Sequence, residues 1–149
     1  MKKEIKFDQF SNLIKNFIVV TLLSRQLEEF IENQNKDIYK NAYIHLMFIN
    51  YVEGISQMEL SLLTGTNKST LVRNINDLVK KDYVCKKTSI RANENELYLT
   101  NKGLEIVDKI KNWINDRELE IEKSTKDSQK TKESVSEYLL KIINMYSIY

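Results

Sequence analysis

The stretch Ile55–Thr100, ISQMELSLLTGTNKSTLVRNINDLVKKDYVCKKTSIRANENELYLT, decides the fold of this 149-residue chain. Ser56 can cap a short helix, and Glu59 three residues later completes a capping box ahead of Leu60, Leu62 and Leu63. Thr64-Gly65-Thr66 ends that helix, because Gly65 can take the positive φ that a sharp turn needs. Asn67 is a good cap for a second helix, in which Leu71, Ile75, Leu78 and Val79 recur at helical spacing with Val72 at their flank. Tyr83–Thr88 is rich in strand formers, and Glu96–Thr100 alternates polar and apolar. Ser89–Asn95 between them is a polar tip suited to a hairpin loop. The predicted order is helix, tight turn, helix, hairpin.

That order is a helix-turn-helix with a wing, which is built to read double-stranded DNA. The second helix, over 67–79, turns Lys68, Ser69, Thr70, Arg73, Asn74 and Asp77 away from its apolar stripe. Arg73 can fork onto guanine O6 and N7, Asn74 can pair with adenine, and Ser69 or Thr70 can reach base edges or phosphates. The N-terminal end, at Asn67 and Lys68, offers backbone N–H groups and the positive end of the helix dipole. A polar helix face is most often simply solvated. Here the capped partner helix, the glycine turn and the wing beside it favour recognition. In the wing, Arg91 suits a narrow minor groove, or is an ordinary solvated loop arginine.

Charge is concentrated in the same segment. Between Asn67 and Asn93 there are seven basic residues (Lys68, Arg73, Lys80, Lys81, Lys86, Lys87 and Arg91) and two acids (Asp77 and Asp82). The segment carries +5 while the whole chain is +2, so the remainder sums to −3. Lys86 and Lys87 on the first strand join the recognition helix as candidate phosphate contacts.

The helix pair SQMELSLLTGTNKSTLVRNINDLVKKDYV and the junction LYLTNKG (Leu97–Gly103) resemble the MarR family of winged-helix regulators. The resemblance implies that Asn67, Ser69, Thr70 and Arg73 occupy DNA-contacting positions of the recognition helix. The chain departs from the family pattern in two places. Asp82 stands where the family usually has Gly, and Arg91 and Asn93 stand where it usually has an Asp-x-Arg pair bracing the wing. Either Arg91 takes over the wing contact, or the wing binds weakly.

The flanks of the segment are apolar helices. Phe10, Leu13, Ile14, Phe17, Val20, Leu27, Phe30 and Ile31 make 7–35 an amphipathic helix, and 39–52 reads as another. Thr100 can cap a helix through Leu104, Val107, Ile110 and Ile114 toward Ile121. A polar break at 123–132 precedes a last helix with Val135, Tyr138, Leu139, Ile142, Ile143 and Tyr146. The expected architecture is mainly α: a winged helix-turn-helix lobe over about 39–100, with 7–35 and 101–149 as dimerisation helices. Two subunits packed through those helices would hold their recognition helices about 34 Å apart, one DNA turn. The alternative is that the terminal helices fold back onto a monomer core.

Other chemistry finds little support. His45 is the only histidine and Cys85 the only cysteine, so one chain cannot assemble a zinc cluster or a Cys–His nucleophile. No cofactor or metal is expected, and an enzyme is not. With no proline and three glycines the chain should be largely helical, and its longest apolar run is far short of a membrane span. A cytoplasmic location is expected. The MarR resemblance implies a cleft for a small aromatic effector, for which Phe17, Tyr39, Tyr43, His45, Phe48 and Trp113 are the ligand-binding candidates. Aromatics at helical spacing are more often plain core. The expected function is a homodimeric repressor on a pseudo-palindromic operator, released by a small ligand. The alternative is a winged-helix protein-interaction module without specific DNA binding.

Overall fold

A computed structural model describes residues 6–88 and 95–146. The chain forms two compact units, 1–43 and 44–149. In the first, a single 3-10 turn at Phe7–Gln9 precedes α1 (Asn12–Gln34), so the predicted helix over 7–35 starts five residues late. Ser11 sets that start, its hydroxyl accepting from the Ile14 amide at 3.4 Å. Leu27 and Ile31 near the end of α1, and Ile38 and Ala42 beyond it, are buried. Lys40 Nζ lies 3.1 Å from Glu28 Oε2, tying the segment after α1 back to the helix. The earlier turns of α1 leave Leu13, Ile14, Phe17, Val19, Val20, Leu22 and Leu23 exposed. A helix (α2, Ala42–Tyr51) then runs out of this unit into the second.

The second unit holds α3 (Gln57–Thr64), α4 (Lys68–Lys80), β1 (Val84–Thr88), β2 (Asn95–Leu99), α5 (Asn101–Ser124) and α6 (Ser128–Tyr146). The capping box predicted at α3 is formed: Ser56 N donates to Glu59 Oε2 at 2.8 Å and Glu59 N to Ser56 Oγ at 3.2 Å. Gly65 ends α3 with φ +63°. Asn67 Oδ1 accepts from the Ser69 amide at 3.0 Å and opens α4. Leu60, Leu71, Ile75, Leu78, Tyr83, Leu97, Val107 and Ile110 are fully enclosed, and Leu46, Ile55, Val84 and Ile106 nearly so. Each such side chain stabilises the fold by roughly 1.5–3 kcal/mol relative to exposure. The helix-turn-helix is therefore held by its apolar stripe, with the polar face left to solvent.

β1 and β2 pair antiparallel, with Val84 opposite Leu99, Lys86 opposite Leu97 and Thr88 opposite Asn95. Cys85 faces Tyr98 and Lys87 faces Glu96 on the other side of the ribbon. The segment before α3 adds a short third edge, where the Leu97 amide donates to the Ile55 carbonyl at 2.9 Å.

The start of α5 is seated on the chain that leads into β1. The Lys81, Asp82 and Tyr83 carbonyls accept from Lys102 Nζ (2.9 Å), Thr100 Oγ1 (2.6 Å) and Thr100 N (3.1 Å). Thr100 Oγ1 also accepts from the Gly103 amide at 3.1 Å, closing the cap predicted for this helix. Asp82 adopts φ +62°, which explains why glycine suits that position and why a short polar side chain can replace it.

The C-terminal half differs from expectation in length. α5 runs on to Ser124, and α6 begins at Ser128 instead of after Lys132. The polar run 123–132 is mostly helical because its Lys and Gln residues are good helix formers when exposed. The break contracts to 125–127, where Asp127 turns the chain with φ +49°. No residue of α6 is buried.

Candidate nucleic-acid interface

Leu71, Ile75 and Leu78 fix the orientation of α4, and the line opposite them carries Ser69, Arg73, Asn76 and Lys80. All four are exposed, as is Val72 beside them. Thr70, Asn74 and Asp77 sit on one shoulder and are half-buried; Lys68 is exposed at the first turn. Of the predicted contacts, the helix thus presents Lys68, Ser69 and Arg73 outward, with Asn74 turned partly toward the body of the unit. Asn76 is an addition that the sequence reading missed. Its signal was present, since 69, 73, 76 and 80 recur at helical spacing.

Ser69 Oγ donates to Asn67 Oδ1 at 2.7 Å, so both the amide and the hydroxyl of Ser69 are engaged by the cap. The charges separate into two kinds. Lys81 Nζ is 2.7 Å from Asp77 Oδ2, which cancels its charge locally. Among the described residues no carboxylate pairs with Arg73, Lys80 or Lys86.

The two strand lysines part company. Lys86 Nζ donates to Asn76 Oδ1 at 2.7 Å and so joins the α4 face. Lys87 lies on the other face of the ribbon, its ammonium 4.2 Å from the centre of the Tyr98 ring. Tyr98 in turn donates to Glu96 Oε2 at 2.7 Å, and that hydrogen bond holds its phenol above the ordinary pKa. Arg91 and Asn93, the positions on which the wing contact was expected to turn, lie outside the described residues.

The turn of the helix-turn-helix is braced from α2. His45 is 3 % exposed, and its Nε2 lies 3.2 Å from Thr66 Oγ1. Thr64 Oγ1 is 2.9 Å from the same hydroxyl and donates to the Leu60 carbonyl at 2.7 Å, while Ser61 Oγ donates to the Thr66 carbonyl at 2.7 Å. Burial lowers the imidazole pKa from 6.5 to about 4, so the ring is neutral at pH 7.

His45 was a candidate for ligand binding, and here its ring faces the turn. Phe48 and Trp113 are half-buried in the same unit, with Arg117 5.3 Å over the Trp113 ring. Phe17, Tyr39 and Tyr43 belong to the first unit, where Tyr43 is buried and Phe17 exposed. Among the described residues no helix is long and apolar enough to cross a membrane.

Two capped helices around a left-handed glycine, an outward polar face and an antiparallel ribbon define a winged helix-turn-helix protein. Residues 40–91, from α2 through the helix-turn-helix to the start of the hairpin tip, match the model of the MarR family. A MarR transcriptional regulator from Methanosarcina mazei Go1 superposes with a TM-score of 0.73 at 19% identity, over 91% of this chain and 99% of that one. A cysteine-to-serine mutant of MarR from E. coli gives 0.66 at 21% identity, over 95% and 98%. A complex of S. aureus MepR with DNA gives 0.66 at 12% identity, over 90% and 98%. At these identities the likeness is one of fold, that of MarR-type transcription regulators. Comparison with curated proteins finds no match.

Proposed function

We propose that this protein is a sequence-specific, double-stranded DNA-binding repressor that acts as a homodimer on a pseudo-palindromic operator. The observation that carries the reading is the outward line Ser69–Arg73–Asn76–Lys80 on a helix whose other side is locked into the core. Its one guanidinium, Arg73, has no carboxylate partner among the described residues and can fork onto a guanine edge. In a complex of S. aureus MepR, a protein of the same fold is bound to DNA, which supports the same use here.

The test is titration of the purified protein onto the DNA upstream of its own gene at several salt concentrations. A reader making six to ten phosphate contacts is expected to lose about 10³–10⁵ in affinity between 50 and 200 mM salt. Binding with neither salt slope nor sequence preference would sink the reading in favour of a protein-interaction module. Arg73→Ala is expected to cost about 1–3 kcal/mol on the cognate site and little on random DNA. Equal losses on both would remove Arg73 from base reading.

The homodimer rests on the apolar faces. Phe17 and Val20 of α1, and Leu140, Ile143 and Met145 of α6, are more than half exposed in the single chain. Light scattering at micromolar concentration is expected to give twice the 17.6 kDa chain mass. A clean monomer there would contradict the two-fold arrangement.

A further inference from the structure

We infer that Asn76 and Lys86 form a phosphate clamp, in which the helix asparagine is a positioning residue for the strand lysine. The inference rests on the DNA-binding reading and assigns a contact within it. Lys86 lies on β1 across from Leu97, and its ammonium crosses to α4 and donates to Asn76 Oδ1 at 2.7 Å. This hydrogen bond has two chemical consequences.

The first concerns charge. The neighbouring pair Lys81–Asp77 is an ion pair with no net charge, whereas Lys86 is held by a neutral amide and keeps its full positive charge. A lysine normally spreads its charge over many rotamers; fixing it on Asn76 reduces the entropy lost when it meets a ligand. The second concerns hydrogen-bonding capacity. Lys86 takes one lone pair of the Asn76 carbonyl oxygen, and the pair keeps the two NH₂ donors of Asn76 beside the remaining N–H bonds of Lys86. Bidentate pairing with adenine would have to compete with Lys86 for that oxygen, so this arrangement disfavours it. A cluster of donors with positive charge and no carboxylate suits an anion with several acceptor oxygens.

Position favours a backbone phosphate over a base. Asn76 is nine residues beyond the Asn67 cap, roughly 13 Å along the helix at 1.5 Å per residue. The major groove is about 12 Å wide. The N-terminal turn of α4 and the clamp therefore stand about one groove width apart, with Arg73 between them. The clamp would fasten one strand while the helix start faces the other.

The test compares Asn76→Asp, Lys86→Gln and Lys86→Arg with the unaltered protein, all titrated onto cognate and random DNA from 50 to 200 mM salt. In Asn76→Asp the new carboxylate can still hold the lysine, so the thermal midpoint should not fall, yet the charge of the clamp is cancelled. Affinity is expected to drop about tenfold on both DNAs, and the slope of log K against log salt to fall by about one. Lys86→Gln should do the same, and Lys86→Arg should retain the slope. If the unaltered protein binds DNA and both charge-cancelling variants keep its slope, the clamp is overturned and the DNA reading stands. A loss confined to cognate DNA would overturn the clamp in favour of base reading. Absence of salt-dependent binding by the unaltered protein would overturn both.

Discussion

Gly103→Ala is expected to destabilise the protein by about 3 kcal/mol, although alanine is the better helix former by about 1 kcal/mol. A Cβ at this position would lie 2.1 Å from the Tyr83 carbonyl oxygen and 3.2 Å from Leu99 Cδ2. The first obstacle is backbone, so no rotamer change relieves it. To admit the methyl group, the first turn of α5 must lift off the segment 81–83. That movement strains the Thr100 hydrogen bonds to the Asp82 and Tyr83 carbonyls and opens the enclosure around Tyr83. Urea unfolding of the variant beside the unaltered protein measures the loss. A variant as stable as the parent would mean that the seat is looser than its geometry indicates. The Gly of the LYLTNKG motif is explained by close approach, not by a turn; it is not among the glycines with positive φ.

The second large effect is on acid stability. The His45 imidazole binds a proton with a pKa of about 4 when folded and about 6.5 when unfolded. Between these values the unfolded state holds more protons, so stability must rise with pH across that window. The contribution is fully present above about pH 6.5 and is lost progressively as pH falls toward 4. The gap between the two values corresponds to roughly 3 kcal/mol. Carboxylates also respond in this range, so the measurement is a difference: unfolding free energies from pH 7.5 to 4 for the parent and for His45→Gln. The variant keeps a polar group near Thr66 but cannot titrate, and its pH dependence should be flatter by about that amount. Parallel curves would show that the imidazole charges without penalty. Because the ring braces Thr66, between α3 and α4, acid should loosen the turn that joins these helices.

What could be read in advance was local. Ser56, Gly65, Asn67 and Thr100 act within three residues of themselves, and each forms the cap or turn that its type predicts. The apolar stripe Leu71–Ile75–Leu78 needed only helical spacing to fix the outward face of α4. What escaped notice spans longer separations. Whether Lys86 meets Asn76, ten residues earlier, depends on the twist of the ribbon against the helix, and no periodicity encodes that. That Lys86 and Lys87 face opposite ways follows from the strand alternation, but which of them turns toward α4 depends on the register with Leu97 and Glu96. The bracing role of His45 was hidden for a different reason: a lone histidine in an apolar helix gives no sign of the hydroxyl waiting across the fold at Thr66. At the C-terminal end, polar composition suggested a break, and helix propensity decided otherwise at 128–132.

The seat of α5 on residues 81–83 makes α4 the short arm of a lever. The C-terminus of α4, the entry to β1 and the first turn of α5 share hydrogen bonds and a backbone contact that leaves no room for a methyl group. These contacts couple the three segments to one another. α5 extends from that fulcrum for 24 residues, about 36 Å. A rotation of about 5° at the fulcrum sweeps the far end of α5 through about 3 Å, by the same helix rise. Conversely, a constraint on the far end of α5 would bear on the tilt of α4 through the same seat.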